Sequence, residues 1–225
     1  MSIGVVIPDV SSSATELLRS SLSQRRLHRG MQATIFTILL LGALQRNVSV
    51  VVNATFGLGV TLLPGVLAND FDVHLGSGLS LFITLAVFLH SLGMFGLYDR
   101  LWWWDHLTHV LSAALVASVG YATTRALDDY SDAVYFPAEF LAVFVFLFTV
   151  AIGVLWELFE QIGRELAIAG GFEPVLIIYG LEDTMWDLVF DMVGAVVGAI
   201  YAGRKLDATT TTLRDYFERA SERLE

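Results

Sequence analysis

The sequence predicts an all-α fold: a polytopic membrane helix bundle of about six transmembrane helices. Of the 225 residues, 55% are hydrophobic and only 16% are charged. Soluble domains are about 45–50% apolar and about a quarter charged. Long apolar segments recur along the chain, and their lengths suit helices that cross a hydrocarbon core about 30 Å thick. We therefore expect little soluble mass outside the bilayer.

The first apolar segment, residues 31–68, is too long for one span. As a single helix it would measure roughly 57 Å, which is nearly twice the thickness of the hydrocarbon core. Its only run of consecutive strongly polar residues is Gln45-Arg46-Asn47. We therefore expect a turn near Arg46, a short first span over Met31–Leu44 and a second span over Val48–Ala68.

Four further spans are predicted by apolar runs that polar segments separate. They cover Leu79–Tyr98, Leu107–Thr124, Phe136–Phe159 and Met185–Ala202. On this reading residues 1–30 form a polar cytoplasmic tail, residues 31–202 form the six-helix transmembrane domain, and residues 203–225 form a charged cytoplasmic tail.

Basic residues gather at both ends of the predicted bundle. Arg25, Arg26 and Arg29 precede the first span, and Arg204 and Lys205 follow the last. Because basic flanks favour the cytoplasmic side, both termini are predicted to be cytoplasmic, in a multi-pass protein of the cell membrane. Cytoplasmic termini require an even number of spans, and six satisfies this requirement.

Composition narrows the chemistry and the partners. The chain has no cysteine, which excludes disulfides and thiolate metal sites. Its net charge of −10 argues against nucleic acid as a partner, because phosphate contacts need basic patches. Membrane lipids are the expected partners. Lys205 is the only lysine, so either a halophilic source or simply a small number of charged residues explains the acidic balance.

Ionisable residues gather near the ends of three predicted spans. They begin the fourth span, end the fifth and begin the sixth, and they comprise Asp105, His106, His109, Glu157, Glu160, Asp183, Asp187 and Asp191. Because successive spans alternate in direction, all three groups lie on one side of the membrane, the external side on this topology. Charges that face lipid cost about 2.5–3.5 kcal/mol each, so these side chains should face the bundle interior.

The spacing of these residues supports one shared site. Asp105 and His109 are four residues apart, as are successive members of Asp183, Asp187 and Asp191, so each set follows one helical face. Crowded carboxylates repel one another, and protonation, a charged histidine or a bound cation must compensate.

A divalent cation is the simplest compensation. Carboxylates with an imidazole suit magnesium, manganese, calcium or zinc. The predicted ligands are Asp105, His109, Asp187 and Asp191, and the predicted catalytic bases are Glu157 and Glu160. Further candidates for the polar site are His106, Asp183 and His90, which lies in the middle of the third span and either hydrogen-bonds a neighbouring helix or lines the same cavity.

Simpler explanations cover part of this pattern. Asp105 and Asp183 could cap their helices, and Glu160 could be solvated at a helix end. Asp187 and Glu157 fit these explanations less well, because they lie inside apolar runs.

The order of the motifs resembles the YjdF-like family of bacterial and archaeal inner-membrane proteins. The resemblance covers residues 31–202 in layout and depends on Phe88-Leu89-His90, Asp105-His106-Leu107-Thr108-His109, Trp156-Glu157-Leu158-Phe159-Glu160, Trp186-Asp187 and Asp191-Met192. It implies a six-span fold with a polar site, and no particular reaction. The pattern is also similar, more weakly, to VanZ-like membrane proteins.

Three functions fit these observations. The first is metal-assisted chemistry on a lipid or lipid-linked phosphate. The second is a cation- or proton-coupled transporter, and the third is a structural protein whose polar cluster only locks helices together. An enzyme needs an open pocket with a vacant metal position, a transporter needs a continuous polar path, and a structural lock needs every carboxylate paired.

Overall fold

The computed structural model describes residues 10–171, 174 and 180–223, and over this part of the chain the protein is helical, with no strand. The helices are α1 (Val10–Leu44), α2 (Val48–Asp70), α3 (Ser77–Leu92), α4 (Trp104–Tyr130), α5 (Ala138–Ala169), α6 (Leu181–Lys205) and α7 (Asp207–Glu222). After α3 the chain kinks within Gly93–Leu97, where Gly96 has a non-helical backbone conformation. Among the described residues, six helices are long and apolar enough to cross a membrane, which confirms the predicted fold class.

The turn that separates the first two spans lies where it was predicted. Arg46 adopts a φ of 58°, and the Asn47 side chain accepts a hydrogen bond from the backbone nitrogen of Val50 at the start of α2. Helix α1 begins at Val10, well before the predicted apolar span over Met31–Leu44. The arginine and glutamine residues before Met31 are good helix formers, so they continue the helix.

Two acidic residues that could have been helix caps lie inside their helices. The capping positions of α4 and α6 are occupied by Trp103 and Gly180, and neither makes a side-chain capping bond. Asp105 and Asp183 fall in the first turns that follow. The capping interpretation of these two residues is therefore wrong, and their carboxylates are available to the bundle interior.

The centre of the bundle is a close contact between α4 and α6. Gly194 lies against the carbonyl of Val110, and Gly198 lies against the backbone of Ala114, so that a side chain at either glycine would overlap α4. Helix α5 packs against both α4 and α6, while α1, α2 and α3 form a second group that joins α4 through α3. This arrangement surrounds one interior space with residues of α2 to α6.

The C-terminal helix α7 closes the end of the bundle that lies away from the acidic residues. The guanidinium of Arg219 lies 3.2 Å from the carboxylate of Asp72. The ring of Tyr216 contacts Phe71, and the ring of Phe217 contacts Tyr130. The connections after α2 and α4 therefore share one end with α7, as expected of an even number of antiparallel spans.

Single-cysteine labelling tests the predicted orientation, since the chain has no native cysteine. Gln45→Cys in the connection after α1 should react with a membrane-impermeant maleimide in intact cells. Asp132→Cys in the connection after α4 should react only after permeabilisation, because the bilayer excludes the charged reagent. Both positions are exposed. The opposite labelling pattern would show that the termini are external.

Candidate functional site

His109 of α4 stands at the centre of the acidic cluster and lies close to three carboxylates. Its Nδ1 is 3.2 Å from Oδ1 of Asp191. Its Nε2 is 3.9 Å from Oδ1 of Asp105 and 3.8 Å from Oδ1 of Asp187. A proton on Nδ1, donated to Asp191, leaves the lone pair of Nε2 facing the other two carboxylates.

Asp105, His109 and Asp187 can share one metal ion. Their ligand atoms lie within 4.8 Å of one another. Two ligands that bind one ion at about 2.0–2.6 Å are at most about 4–5 Å apart, so the three atoms meet the distance requirement. Asp191 stands behind the imidazole, in the position from which a carboxylate orients a metal-binding histidine.

Helical spacing and one small residue create this geometry. Asp105 and His109 lie four residues apart on α4, and Asp187 and Asp191 lie four apart on α6, so each pair stacks along its helix towards the other pair. Helix α5 comes close because residue 153 is glycine: a Cβ there would overlap the carboxylate of Asp191.

The cluster forms one end of a cavity of about 240 Å³. Residues from α2 to α6 line this cavity, and most of its wall is apolar. No lysine or arginine lines it in the described part of the chain. Its ionisable lining residues, apart from Tyr98, are Asp105, Glu157, Glu160, Asp183, Asp187, Asp191, His90 and His109.

Two buried carboxylate oxygens in this cavity have no hydrogen-bond partner among the described residues. They are Oδ1 of Asp187 and Oε1 of Glu157, which belong to residues only 3% and 7% exposed. Removing a polar oxygen from water without a replacement partner costs free energy. These two oxygens can therefore accept a cation or a hydrogen-bond donor.

The other predicted residues fall in distinct places. Glu160 and Asp183 line the cavity beside the cluster. His106 stacks on the ring of Phe190, with ring centroids 4.4 Å apart, and its Nδ1 lies 3.6 Å from Oδ1 of Asp187. The structure therefore brings all the predicted residues of α4, α5 and α6 to one end of the bundle, as the topology required.

A second polar group lines the same cavity from α2 and α3. The hydroxyl of Tyr98 lies 2.8 Å from Nδ1 of His90 and 3.2 Å from Oγ1 of Thr108. The Nε2 of His90 lies 3.2 Å from Oδ1 of Asn53. Both expectations for His90 are confirmed, since it hydrogen-bonds a neighbouring helix and also lines the cavity.

The kink within Gly93–Leu97 brings Tyr98 back against α3. Gly96 has a φ of 123°, a conformation that residues with a Cβ rarely adopt. Gly93 faces the Tyr98 ring so closely that a Cβ would overlap it. Sequence reasoning missed Tyr98 and Asn53, for which the only signals were the two nearby glycines and an isolated amide in an apolar span.

Comparison with known proteins places the chain in a family. Residues 27–208, which include every candidate site residue, match the family described as "Predicted membrane protein (DUF2238)". This description is consistent with the resemblance drawn from the motifs.

The sequence of one relative matches part of the chain. A Thermotoga maritima protein described as uncharacterized is 31% identical over 127 residues, which are 56% of this chain and 62% of the relative. The chain thus spans less than two thirds of that relative's length. No solved structure matches the chain. Because the family match covers most of the sequence, the chain belongs to the DUF2238 family of predicted membrane proteins.

Proposed function

We propose that this membrane protein binds a divalent cation through Asp105, His109 and Asp187 and uses it to hydrolyse the phosphate ester of a lipid or lipid-linked substrate. One observation carries the proposal: Oδ1 of Asp187 is buried without a hydrogen-bond partner among the described residues, 3.8 Å from Nε2 of His109. Buried charge needs a counter-charge. No lysine or arginine lines the cavity, and the imidazole of His109 is shared among three carboxylates, so we assign the counter-charge to a metal cation.

The surrounding carboxylates have roles in this reaction. The cation would polarise the phosphoryl oxygen and activate a bound water. Glu157, with its unpaired Oε1, would accept a proton from that water as the water oxygen bonds to phosphorus. The ester P–O bond then breaks, and a protonated Glu160 supplies a proton to the leaving oxygen. Asp191 would hold the imidazole of His109 in place.

The position of the cavity supports a substrate that arrives from the membrane. Phe56 of α2 and Trp156 of α5 line it and are still 68% and 41% exposed. Helix α2 packs mainly on α1 and α3, and α5 packs on α4 and α6, so these two helices are not principal packing partners. A lipid head group would enter the cavity beside these exposed side chains.

The structure favours this function over the two alternatives. A cluster that only locked helices together would have all its carboxylates paired. Here two buried carboxylate oxygens lack a hydrogen-bond partner among the described residues. A transporter would need a polar path past Gly194 and Gly198, where α6 packs directly on the backbone of α4. Close packing at this level blocks a path between α4 and α6.

Elemental analysis tests the metal site. After equilibration with Mn²⁺ and removal of free metal, the wild-type protein in detergent should contain about one ion per chain. The His109→Ala, Asp187→Ala double variant should contain none, because two of three ligands are lost. Asp132→Asn is the control, since this exposed carboxylate lies outside the cavity. Equal metal content in all three proteins would refute the site.

Turnover separates the enzyme from the transporter. The metal-loaded protein should release inorganic phosphate from phosphatidic acid in mixed micelles, and the double variant should not. Metal binding without phosphate release, together with Mn²⁺ uptake by proteoliposomes, would instead show a transporter.

A further inference from the structure

The cavity extends past the acidic cluster into the bundle, and this deeper part is apolar. The lining residues of α6 are all aspartates. Past Asp191, this helix packs at Gly194 against the backbone of α4, so the deeper wall comes from α2 to α5. The apolar residues of this deeper wall, which together form the apolar pocket, are Gly57, Ala86, Val87, Leu115, Val116 and Ile152.

The apolar pocket offers little to hold water. The lining residues between Ser112 and Val116 on α4, and between Thr149 and Ile152 on α5, include no ionisable side chain. The hydroxyl of Thr149 donates to the carbonyl of Val145 over 2.8 Å, so its hydrogen is already used within α5. An ordered water needs two to four polar partners. A hydrocarbon group is therefore a better occupant of this space than water.

Buried core residues close the inner end of the apolar pocket. Leu115 packs against a cluster that contains Leu79 and Ile83, which are 2% and 4% exposed. Val145, which is fully buried in a second cluster, lies one turn of α5 further in than Thr149. The apolar pocket therefore ends inside the bundle, with the acidic cluster at its other end.

The dimensions of the apolar pocket fit one hydrocarbon chain. From Glu157 to Thr149, α5 spans eight residues, which is about 12 Å along the helix. An extended chain covers at most about 1.2 Å per bond, so about ten carbons fill this depth. The cavity volume of about 240 Å³ has room for about eight groups the size of a water molecule, and a methylene group is of similar size. Two parallel chains would need about twice this volume.

We propose that the apolar pocket holds the hydrocarbon chain of the substrate, with the chain end near Ala86 and Val116 and the phosphate at the acidic cluster. This inference rests on the proposed function and adds the substrate class: a phosphate monoester with one apolar chain of about eight to ten carbons. A lipid with two chains would leave at least one of them outside the bundle, and it would be a poorer substrate.

A series of n-alkyl phosphates, from butyl to dodecyl, tests the expected chain length. Isothermal titration calorimetry measures their binding to the Mn²⁺-loaded protein in detergent, and each affinity is corrected for partition into protein-free micelles. The corrected affinity should rise about fourfold for each added methylene as far as octyl or decyl phosphate and then stop rising. Equal affinities throughout, or a rise that continues undiminished to dodecyl phosphate, would overturn the proposal.

Two variants should move this length limit in opposite directions. Ala86→Leu adds three carbons at the inner end and should shorten the longest chain that gains affinity by about three carbons, because close-packed interiors have little spare volume. Val116→Ala removes two carbons and should lengthen that chain by about two carbons. A variant that only disturbed the fold would not favour longer chains. Ala142→Leu is the control for added size, since Ala142 is exposed on α5 and does not line the cavity.

The metal-free protein separates this inference from the proposed function. The n-alkanols carry the chain without the phosphate, and their affinities for the metal-free protein should show the same length limit and the same shifts in the two variants. Such shifts in a protein that binds no metal would refute the proposed function and support the chain site. Metal binding and phosphate release with a limit that neither variant moves would refute the chain site alone.

Discussion

Replacing Gly198 with alanine is expected to destabilise the protein by about 3 kcal/mol, the upper part of the range for overpacking a close contact. A Cβ at this position would overlap the carbonyl and Cα of Ala114. Backbone atoms within α4 cannot move aside as a flexible side chain can, so α4 and α6 must separate. The midpoint of thermal or denaturant unfolding in detergent micelles measures the loss.

Gly59→Ala is the control for this substitution. Gly59 lies in the middle of α2 with no neighbouring atom within 4 Å of an added Cβ. Alanine is a better helix former than glycine by about 1 kcal/mol, so this variant should be as stable as the wild type or slightly more stable. Similar destabilisation of both variants would contradict direct contact between α4 and α6.

Replacing Gly153 with alanine should weaken metal binding about 10- to 100-fold, the usual effect of losing an outer-shell partner. The added methyl would overlap the carboxylate of Asp191. Because this carboxylate is the end of a side chain, it can rotate away without disturbing the helices, but it then leaves Nδ1 of His109. Titration with Mn²⁺, followed by electron paramagnetic resonance, measures the affinity.

Asp191→Asn distinguishes this mechanism from a general disturbance of α5. It removes the charge behind His109 without adding volume near Gly153, so its effect on metal affinity should match that of Gly153→Ala. Both variants should unfold at nearly the wild-type midpoint. Wild-type metal affinity in both variants would show that Asp191 has no role in the proposed site.

Most of the fold could be predicted because a bilayer imposes simple rules on a chain. Apolar length predicts the spans, and the polar break at Arg46 predicts the first turn. Helix α1 extends before the apolar span, because a helix can continue into polar surroundings. The apolar run does not mark that continuation, although Val10–Leu44 forms one unbroken helix.

The candidate site was only partly predictable. Antiparallel order alone brings the ends of α4, α5 and α6 to one side, and four-residue spacing places Asp105 with His109 on one face. The spacing does not show which ring nitrogen meets which carboxylate. That pairing depends on the orientation of each helix about its own axis. Close packing at Gly153, Gly194 and Gly198 fixes this orientation.

By itself the sequence determined that this protein is a helical membrane protein with its acidic residues at one end. The hydrophobic length and the charges of each segment can be assigned without knowledge of its tertiary contacts. Only the tertiary structure distinguished Asp187, which is placed as a ligand, from Asp191, which supports His109, since both lie on the same face of α6. It alone joined Tyr98, His90 and Asn53, because the backbone turn at Gly96 has no hydrophobic signature. Contacts between distant segments depend on packing, which a linear pattern does not contain.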